Sequence, residues 1–213
     1  MTSPAVLPRR PRGRPSRNGQ DYADTRALLI RSGLEHLTCH GVSATVIDDV
    51  LKQVNVPKGS FYHYFASKEA FVEAVIDAYA EYFDRKLSRV LGDTTLAPLA
   101  RLRAFVDEAC EGVARHDFMR GCLVGNLGQE VCSLPPAMRE RLEAIFGDWE
   151  RHLAGCLEAA AVAGEIAPTA PFALLAHTFW VGWEGAVLRA RLARSTLPMT
   201  RFLDLFLQAL PRA

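Results

Sequence analysis

The chain has 213 residues, with 25 Lys and Arg against 24 Asp and Glu and a net charge of +1 at pH 7. This length can form one medium domain or two small ones with a sizeable core. The longest apolar run, at 172–183, is interrupted by His177 and falls short of the roughly 20 residues of a membrane span. Five cysteines lack the spacing of a disulfide framework, so we expect a reduced, cytoplasmic protein with no membrane partner.

The small net charge hides a separation of charge along the chain. Residues 1–20 hold five arginines and no acidic residue, which leaves twenty basic residues against 24 acidic ones in the remainder. Prolines keep the first segment out of regular structure, so we expect a disordered basic arm at 1–20. Its RPRGRPSR run, which includes Arg14, can place an arginine in a minor groove of DNA. The alternative is a tail that only adds solubility.

The first periodic segment predicts a helix at about 22–40. Apolar residues recur at helical spacing, and Gly41 provides the stop. The residues expected to face inward are Ala27, Ile30, Leu34 and Leu37.

The next segment, TVIDDVLKQVNVPKGSFYHYFASK at 45–68, predicts two short helices around a tight turn. Ile47, Val50 and Leu51 recur at helical spacing and give the first helix an inner face. Asn55 tolerates a left-handed backbone, and Pro57 suits the first position of a second helix at 58–64. This is the pattern of a helix-turn-helix, and it indicates DNA binding.

The start of the second short helix is polar and cationic, which suits phosphate and base contacts in a major groove. Phe61 and Phe65 should instead lie in the core. With two phosphate contacts at neighbouring helix starts and the arm residue, the predicted DNA-binding residues are Arg14, Thr45, Lys58, Gly59, Ser60, Tyr62, His63 and Lys68.

The string KGSFYHYFASKEAF at 58–71 closely resembles the recognition-helix signature of the TetR family of bacterial regulators. The chain departs from the family pattern at Asn55, usually Gly, at Val54, often Ala, and at Pro57, often Ser. The resemblance implies an all-α fold, with a three-helix helix-turn-helix domain at 21–66 and a helical effector-binding and dimerisation domain at 67–213. It also implies a homodimeric repressor that a small-molecule inducer releases from a palindromic double-stranded DNA operator.

Helical periodicity continues to the end of the chain, with no strand pattern. A fourth helix should begin after Ser67 and end near Gly92. Further helices are predicted at 97–115, 121–132, 136–163, 171–195 and 199–210.

The last two helices carry apolar stripes that favour a dimer surface. The alternative is that both stripes complete the core of one chain. The stripe residues are Phe179, Trp180, Gly182, Trp183, Gly185, Ala186, Val187, Leu188 and Ala190 on one helix and Phe202, Leu205, Phe206 and Leu210 on the other.

Cys122 is a candidate sensor of electrophiles. It lies near a predicted helix start, with His116 and Arg120 close in sequence, and a helix N-terminus and nearby cations lower the pKa of a thiol. The alternative is a small buried hydrophobic residue. An enzyme that uses a Cys122–His116 dyad is a further alternative, but neither a third member nor an oxyanion hole can be named.

The segment GCLVGNLGQEVC at 121–132 resembles a subgroup of cysteine-containing TetR repressors that respond to acrylate-like compounds, N-ethylmaleimide and other reactive electrophiles. That resemblance makes Cys122 the reactive residue. Arg191 falls where such sensors can carry Lys. A non-covalent sensor of a small organic acid or acyl-CoA, with Cys122 lining the pocket, is the other interpretation.

Glu184 stands beside Trp183 in an apolar helix and needs a partner or solvent. It can face a ligand pocket, with Trp183, or pair with an arginine such as Arg189 or Arg191 across the dimer, and we favour the ion pair. The sequence provides no reason to expect a catalytic residue, a cofactor or a metal site.

Overall fold

The computed structural model of the chain describes residues 19–212, and regular structure within that range is entirely helical, as predicted. No helix in this range is both long and apolar enough to cross a bilayer. Short 3₁₀ turns at Lys58–Ser60 and Val131–Ser133 precede α3 and α7. The α-helices are α1 (Gly19–His40), α2 (Ile47–Gln53), α3 (Phe61–Tyr64), α4 (Lys68–Leu91), α5 (Pro98–Arg115), α6 (Leu123–Gly128), α7 (Pro136–Val162), α8 (Phe172–Ala193) and α9 (Leu197–Ala209).

Helices α1, α2 and α3 form the predicted helix-turn-helix unit. Asn55 takes the left-handed backbone that its position required, with a φ of 55°, and Gly41 ends α1 with a φ of 76°. The inner face of α1 was predicted in part. Leu37 is fully buried, and Ile30 and Leu34 are partly buried against the core, but Ala27 is exposed and Leu29 is buried instead. The expected helix at 58–64 begins as a 3₁₀ turn and is α-helical only over its last four residues.

Helix α4 connects the helix-turn-helix to the rest of the molecule. Its N-terminus is capped by Ser67, whose hydroxyl accepts the backbone N–H of Ala70 at 3.1 Å. Phe71 and Val75 are fully buried on the side that packs on α1. Tyr79, two turns further along, is also buried and borders a cavity. One helix therefore contacts the DNA-binding unit and an internal cavity.

The C-terminal core is a cluster of aromatic rings. Trp149 of α7 is 1% exposed, and its ring lies 4.4 Å from Phe83 and 5.1 Å from Trp180. The rings of Phe179 and Trp183 stack at 5.7 Å. The aromatic stripe that we assigned to a dimer surface therefore lies inside one chain, so the alternative interpretation holds for these residues.

Helix α8 has a second apolar face that remains exposed. Leu174 is 61% exposed, Val181 65%, Leu188 37% and Leu192 73%. On α9, Leu205 is 66% exposed. Because α8 is apolar all round, the sequence could not tell its buried face from its exposed one.

The predicted helix at 121–132 is broken. Helix α6 ends at Gly128, and a 3₁₀ turn follows at Val131–Ser133. The break places the side chain of Glu130 against the loop that follows α1, where its carboxylate is hydrogen bonded to Val42 and Ser43. These long-range contacts compete with a continuous helix, and they have no signature in the local sequence.

Candidate functional site

The short segment around α3 presents its polar side chains to solvent. Tyr62 is 74% exposed, and Lys58 and His63 are exposed as well. Phe61 and Phe65 are 2% and 4% exposed, which confirms their predicted place in the core. The segment thus has a polar face towards solvent and buried aromatic rings beneath it, which is the arrangement that a DNA-reading helix requires.

Gly59 lies at the tip of this surface. It is exposed, and a Cβ added there would meet no atom within 4 Å. The fold of the chain itself therefore leaves room for a side chain, whereas an approaching DNA backbone would use that space. Ser60, beside it, is half-buried, and its N–H donates to the carbonyl of Pro57 at 2.8 Å.

Lys58 is held by a neighbouring carboxylate. Its Nζ lies 2.7 Å from Asp48 Oδ2, and this hydrogen bond and the charge of Asp48 raise the pKa of Lys58. An ion pair between exposed groups stabilises the fold little. Lys58 can therefore exchange Asp48 for a DNA phosphate at modest cost.

Tyr22 supports the reading segment from α1, a role for which the sequence contains no local signal. Its hydroxyl donates to the carbonyl of His63 at 3.2 Å. Its ring stacks on Tyr64 at a centroid distance of 4.9 Å. The orientation of α3 is thereby fixed against the first helix.

The two predicted phosphate contacts at helix starts face inward in this conformation. Thr45 is 3% exposed, and its hydroxyl donates to the carbonyl of Gly41. The ammonium of Lys68 donates to the carbonyls of Val42 at 3.1 Å and Thr45 at 2.9 Å. The hydroxyl of Thr45 is hydrogen bonded within the loop after α1, so in this conformation it is not free to contact a phosphate as predicted. Arg14 and the basic arm lie outside the described residues.

A cavity of about 550 Å³, partly open to solvent, lies between the C-terminal domain and α1. Its wall is formed by α1, α4, α5, α8, the start of α9 and the segment at 116–122. The structure brings all of the predicted sensor residues to this wall, and these are His116, Arg120, Cys122, Trp183 and Glu184. Tyr79, which the sequence did not single out as a cavity residue, lies with them.

The deepest polar part of the wall is formed by Glu184, Cys122 and Tyr79. Burial raises the pKa of Glu184 to about 7, with a hydrogen bond from the Cys122 thiol acting in the opposite direction. Oε1 of Glu184 is buried without a hydrogen-bond partner among the described residues. Burial, followed by the nearby thiol and carboxylate, also raises the pKa of Tyr79 well above its ordinary value.

The expected thiolate at Cys122 is wrong. Burial and the neighbouring carboxylate of Glu184 raise the pKa of this thiol well above its ordinary value, despite a 3.4 Å hydrogen bond from the N–H of Gly125. Cys122 is indeed the N-cap of α6, but the helix has only six residues. Desolvation therefore raises the pKa of the thiol by more than the helix N-terminus lowers it, and Cys122 is a neutral thiol at pH 7.

The basic side chains near Cys122 in the sequence are either paired with other groups or exposed. The guanidinium of Arg120 pairs with Glu35 of α1 at 3.3 Å, and His116 is exposed. Arg191 donates to Oδ1 of Asn126 at 2.9 Å and to the carbonyl of Met119 at 3.2 Å. Arg191 thus makes no ion pair with Glu184 of its own chain, and the pair that we favoured across the dimer stays a prediction.

Helix α6 connects the cavity to the helix-turn-helix. Its first turn packs on Glu184 so closely that a Cβ at Gly125 would clash with Oε2 of that carboxyl group. Further along, the amide of Asn126 donates to the carbonyl of Thr38 near the end of α1 at 2.8 Å. Just beyond the end of α6, the Glu130 carboxylate accepts the N–H groups of Val42 at 2.9 Å and Ser43 at 2.8 Å. Neither contact is foreshadowed by a pattern in the sequence.

An exposed helix-turn-helix joined to a helical domain with an internal cavity defines a class of DNA-binding regulators. Comparison with family models identifies the family. Residues 29–75 match bacterial regulatory proteins of the tetR family, and residues 98–206 match the tetracyclin repressor-like C-terminal domain. The chain belongs to the TetR family of transcriptional regulators, which are not enzymes.

Similar proteins include the transcriptional regulator AcuR of Cereibacter sphaeroides, 47% identical over 205 residues, which cover 96% of this chain and 93% of AcuR. The repressor DhaR of Mycobacterium sp. is 31% identical, with 87% of this chain and 91% of DhaR covered. Among solved structures, a regulatory protein TetR from Rhodobacter sphaeroides superposes with a TM-score of 0.83 at 48% identity, covering 86% of this chain and 97% of that one. The reduced form of Escherichia coli NemR gives 0.81 at 27% identity, covering 89% and 98%.

Proposed function

We propose that this protein is a homodimeric repressor that leaves a palindromic DNA operator when a small organic inducer occupies the cavity. The observation that carries this proposal is the position of α6. Its Gly125 packs on Glu184 of the cavity wall, while Asn126 and Glu130, just beyond its end, bind the helix-turn-helix. A ligand that moves α6 by a small amount therefore acts on the loop before α2. The coupling expected for such a change is about 1–3 kcal/mol.

The inducer is proposed to bind without forming a covalent bond. A thiolate is the reactive form of cysteine, and both burial and Glu184 oppose the thiolate of Cys122. Cys122, Trp183 and Glu184 then act as contact residues for the inducer. His116 and Arg120 contribute to the wall nearer the exposed segment.

Covalent modification of Cys122 is the second candidate. One observation favours it, namely that Cys122 lines the cavity whereas Cys39, Cys110, Cys132 and Cys156 do not. An electrophile that is concentrated in the cavity would meet this thiol first. Wild type and Cys122→Ser distinguish the candidates. The covalent mechanism requires that inducer adds mass to the peptide containing residue 122 only in wild type, and that the serine variant keeps its operator when inducer is added.

The proposed DNA contacts combine the exposed segment at α3 with the arm. Lys58, Tyr62 and His63 reach the major groove, Gly59 and Ser60 contact the backbone, and Lys68 supports the loop close to the phosphates. The arm, with Arg14, adds sequence-independent affinity. Its deletion should lower the slope of log K against log salt by about 0.9 for each phosphate that the arm neutralises.

The second subunit is proposed to cover the exposed face of α8, together with Leu205 of α9. Leu174, Val181 and Leu188 repeat every seven residues, which suits packing against a matching helix. We expect Val181→Lys with Leu192→Lys to produce monomers in light scattering and to lower operator affinity. Val162→Lys is the matched control, because Val162 is 92% exposed on α7. A dimeric double variant would refute this interface.

The function is tested by operator binding. An operator is first obtained by sequencing the duplexes that the protein retains from a random pool, and affinity is then measured by fluorescence anisotropy. Tyr62→Ala should weaken binding at least tenfold, about 1.4 kcal/mol. Tyr82→Ala is the control, since Tyr82 is 55% exposed on α4, away from the reading segment. Equal affinity of wild type and Tyr62→Ala would contradict the assigned surface.

A further inference from the structure

The carboxyl group of Glu184 lies in the cavity wall without a partner for one of its oxygens. Oε1 is buried and accepts no hydrogen bond from the described residues. Oε2 lies so close to Gly125 that any side chain at that position would clash with it. The chain thus makes room for a carboxyl group here but supplies nothing that satisfies Oε1.

The unsatisfied oxygen is unusual because most buried polar groups in proteins are hydrogen bonded. The arginine two turns further along α8 does not fill the role. Nη1 and Nη2 of Arg191 donate to Asn126 and Met119, and its Nε has no partner and does not bond to Oε1. Tyr79 and Cys122 lie nearby, but neither donates a hydrogen bond to Oε1. A group that enters the cavity is therefore the natural donor to Oε1.

Aromatic and aliphatic side chains form much of the remaining wall. Phe83, Phe105 and Trp183 contribute rings, and Val187 and Met199 contribute aliphatic surface. A cavity of about 550 Å³ is within the ordinary range for small-molecule sites. The wall combines these apolar side chains with charged groups, so it suits a small ligand that has an apolar body and a hydrogen-bond donor for Glu184.

We propose that Oε1 of Glu184 accepts a hydrogen bond from the bound ligand, so that the cavity takes neutral donors directly and takes an organic carboxylate only together with one proton. This inference rests on the proposed function, because it concerns the ligand of the same cavity. The reason is electrostatic. Two carboxylates in a buried site repel each other, whereas a carboxylate and a carboxylic acid share a proton.

The titration of Glu184 makes the two ligand classes distinguishable. Its pKa of about 7 means that the acid form is present below neutral pH and the carboxylate above it. Other charged or titratable groups face the cavity from the elements around it, and matched variants must separate their effect on binding from that of Glu184. These are Tyr79, Tyr82, Lys86 and Arg89 of α4, Glu108, Glu111 and Arg115 of α5, and His116, Arg120 and Cys122 of the segment before α6.

The strongest of these charges are already paired. Glu108 accepts two hydrogen bonds from Arg89, at 3.0 and 2.8 Å, and lies 3.7 Å from Lys86. Arg120 is paired with Glu35. His116 is exposed and lines the same cavity. A His116→Gln variant therefore accompanies the test.

The experiment uses benzamide as the neutral donor and benzoate as the carboxylate, with affinity measured by calorimetry on the full-length protein. From about pH 7 upward, the affinity for benzoate should fall about tenfold per pH unit, and benzoate binding should take up one proton in buffers of different ionisation enthalpy. Benzamide affinity should be flat or rise. Glu184→Gln should abolish the proton uptake and flatten the benzoate profile.

Glu111→Gln is the matched control, because Glu111 lines the same cavity but is exposed, and it should keep the pH profile of wild type. His116→Gln should keep it as well. Benzoate binding without proton uptake, or an unchanged profile in Glu184→Gln, would overturn the inference. So would the absence of binding of both probes at millimolar concentration.

Operator release is measured separately for each probe. Glu184-dependent binding that leaves the operator occupied would sustain the inference and refute the cavity as the inducer site. A compound that releases the operator from Glu184→Gln with the same affinity and pH profile as from wild type would refute the inference and sustain the cavity as the inducer site.

Discussion

The carboxylate of Glu130 and the backbone of Ser43 are joined across 87 residues of chain, with Oε2 accepting the N–H of Ser43 at 2.8 Å. The hydroxyl of Ser43 donates to the same oxygen, and the N–H of Val42 donates to Oε1. One side chain of the C-terminal domain thus holds the loop that leads into α2. Its removal should affect both the stability of the helix-turn-helix and its response to a ligand.

Glu130→Ala is expected to lower the free energy of unfolding by about 1–2 kcal/mol, because the variant cannot form three hydrogen bonds to a charged but partly exposed acceptor. It should also make operator affinity less sensitive to inducer. Gln129→Ala is the control on the adjacent exposed residue. Chemical denaturation and operator titration with and without ligand give both quantities. Full inducer response in Glu130→Ala would show that this side chain does not carry the coupling.

Gly59→Ala should separate DNA binding from stability. Because an added Cβ meets no atom within 4 Å, the thermal midpoint should not decrease. Operator affinity should fall about tenfold, or 1.4 kcal/mol, since the methyl group occupies space needed by the DNA backbone. Gly128→Ala, another position with open space beside it, is the control. Unchanged operator affinity would remove Gly59 from the interface.

Limited alkylation should label Cys132 before Cys122. Cys132 is exposed, whereas Cys122 is buried and its thiol pKa is raised by burial and by Glu184. Peptide mapping by mass spectrometry after treatment with substoichiometric N-ethylmaleimide measures the order. Cys132→Ser should leave the total rate of labelling much reduced. Preferential labelling of Cys122 would instead favour the covalent mechanism.

Stability should fall as the pH rises from about 4.5 to about 7, to the extent that Glu184 controls it. The folded protein raises the pKa of this carboxyl group from 4.5 to about 7, so the native state binds more protons than the unfolded state in this window. Above pH 7, Glu184→Gln should exceed wild type in unfolding free energy by an amount on the order of 2–3 kcal/mol. Urea titrations of both proteins across this range, with Glu111→Gln as control, measure the difference. Parallel profiles for Glu184→Gln and wild type would contradict the shift.

Local patterns in the sequence were sufficient to predict most of the fold. The helix-turn-helix followed from the spacing of Val50 and Leu51, from the left-handed Asn55 and from the Ser67 cap, all of which depend on neighbours in sequence. A place near an effector was also predicted for Cys122. For Glu184 the cavity was the alternative to an ion pair, since a lone polar residue in an apolar helix requires a partner or solvent.

The errors came from effects that act between elements. The pKa of Cys122 was predicted from its position at a helix start, but the sequence does not show that Glu184 and the aromatic wall surround it. The two faces of α8 could not be assigned because both are apolar. The role of Glu130 depends on a break after α6 that its own hydrogen bonds support.

The loop at 41–45 is held by opposite kinds of groups from two different helices. Lys68, at the start of α4, donates hydrogen bonds to the carbonyls of Val42 and Thr45. Glu130, just beyond α6, accepts hydrogen bonds from the N–H groups of Val42 and Ser43. A joint displacement of α4 and α6 carries the loop along without strain. A displacement of one against the other pulls its donors and acceptors apart. The loop, and α2 after it, therefore responds to the movement of α4 relative to α6 rather than to the movement of either helix alone.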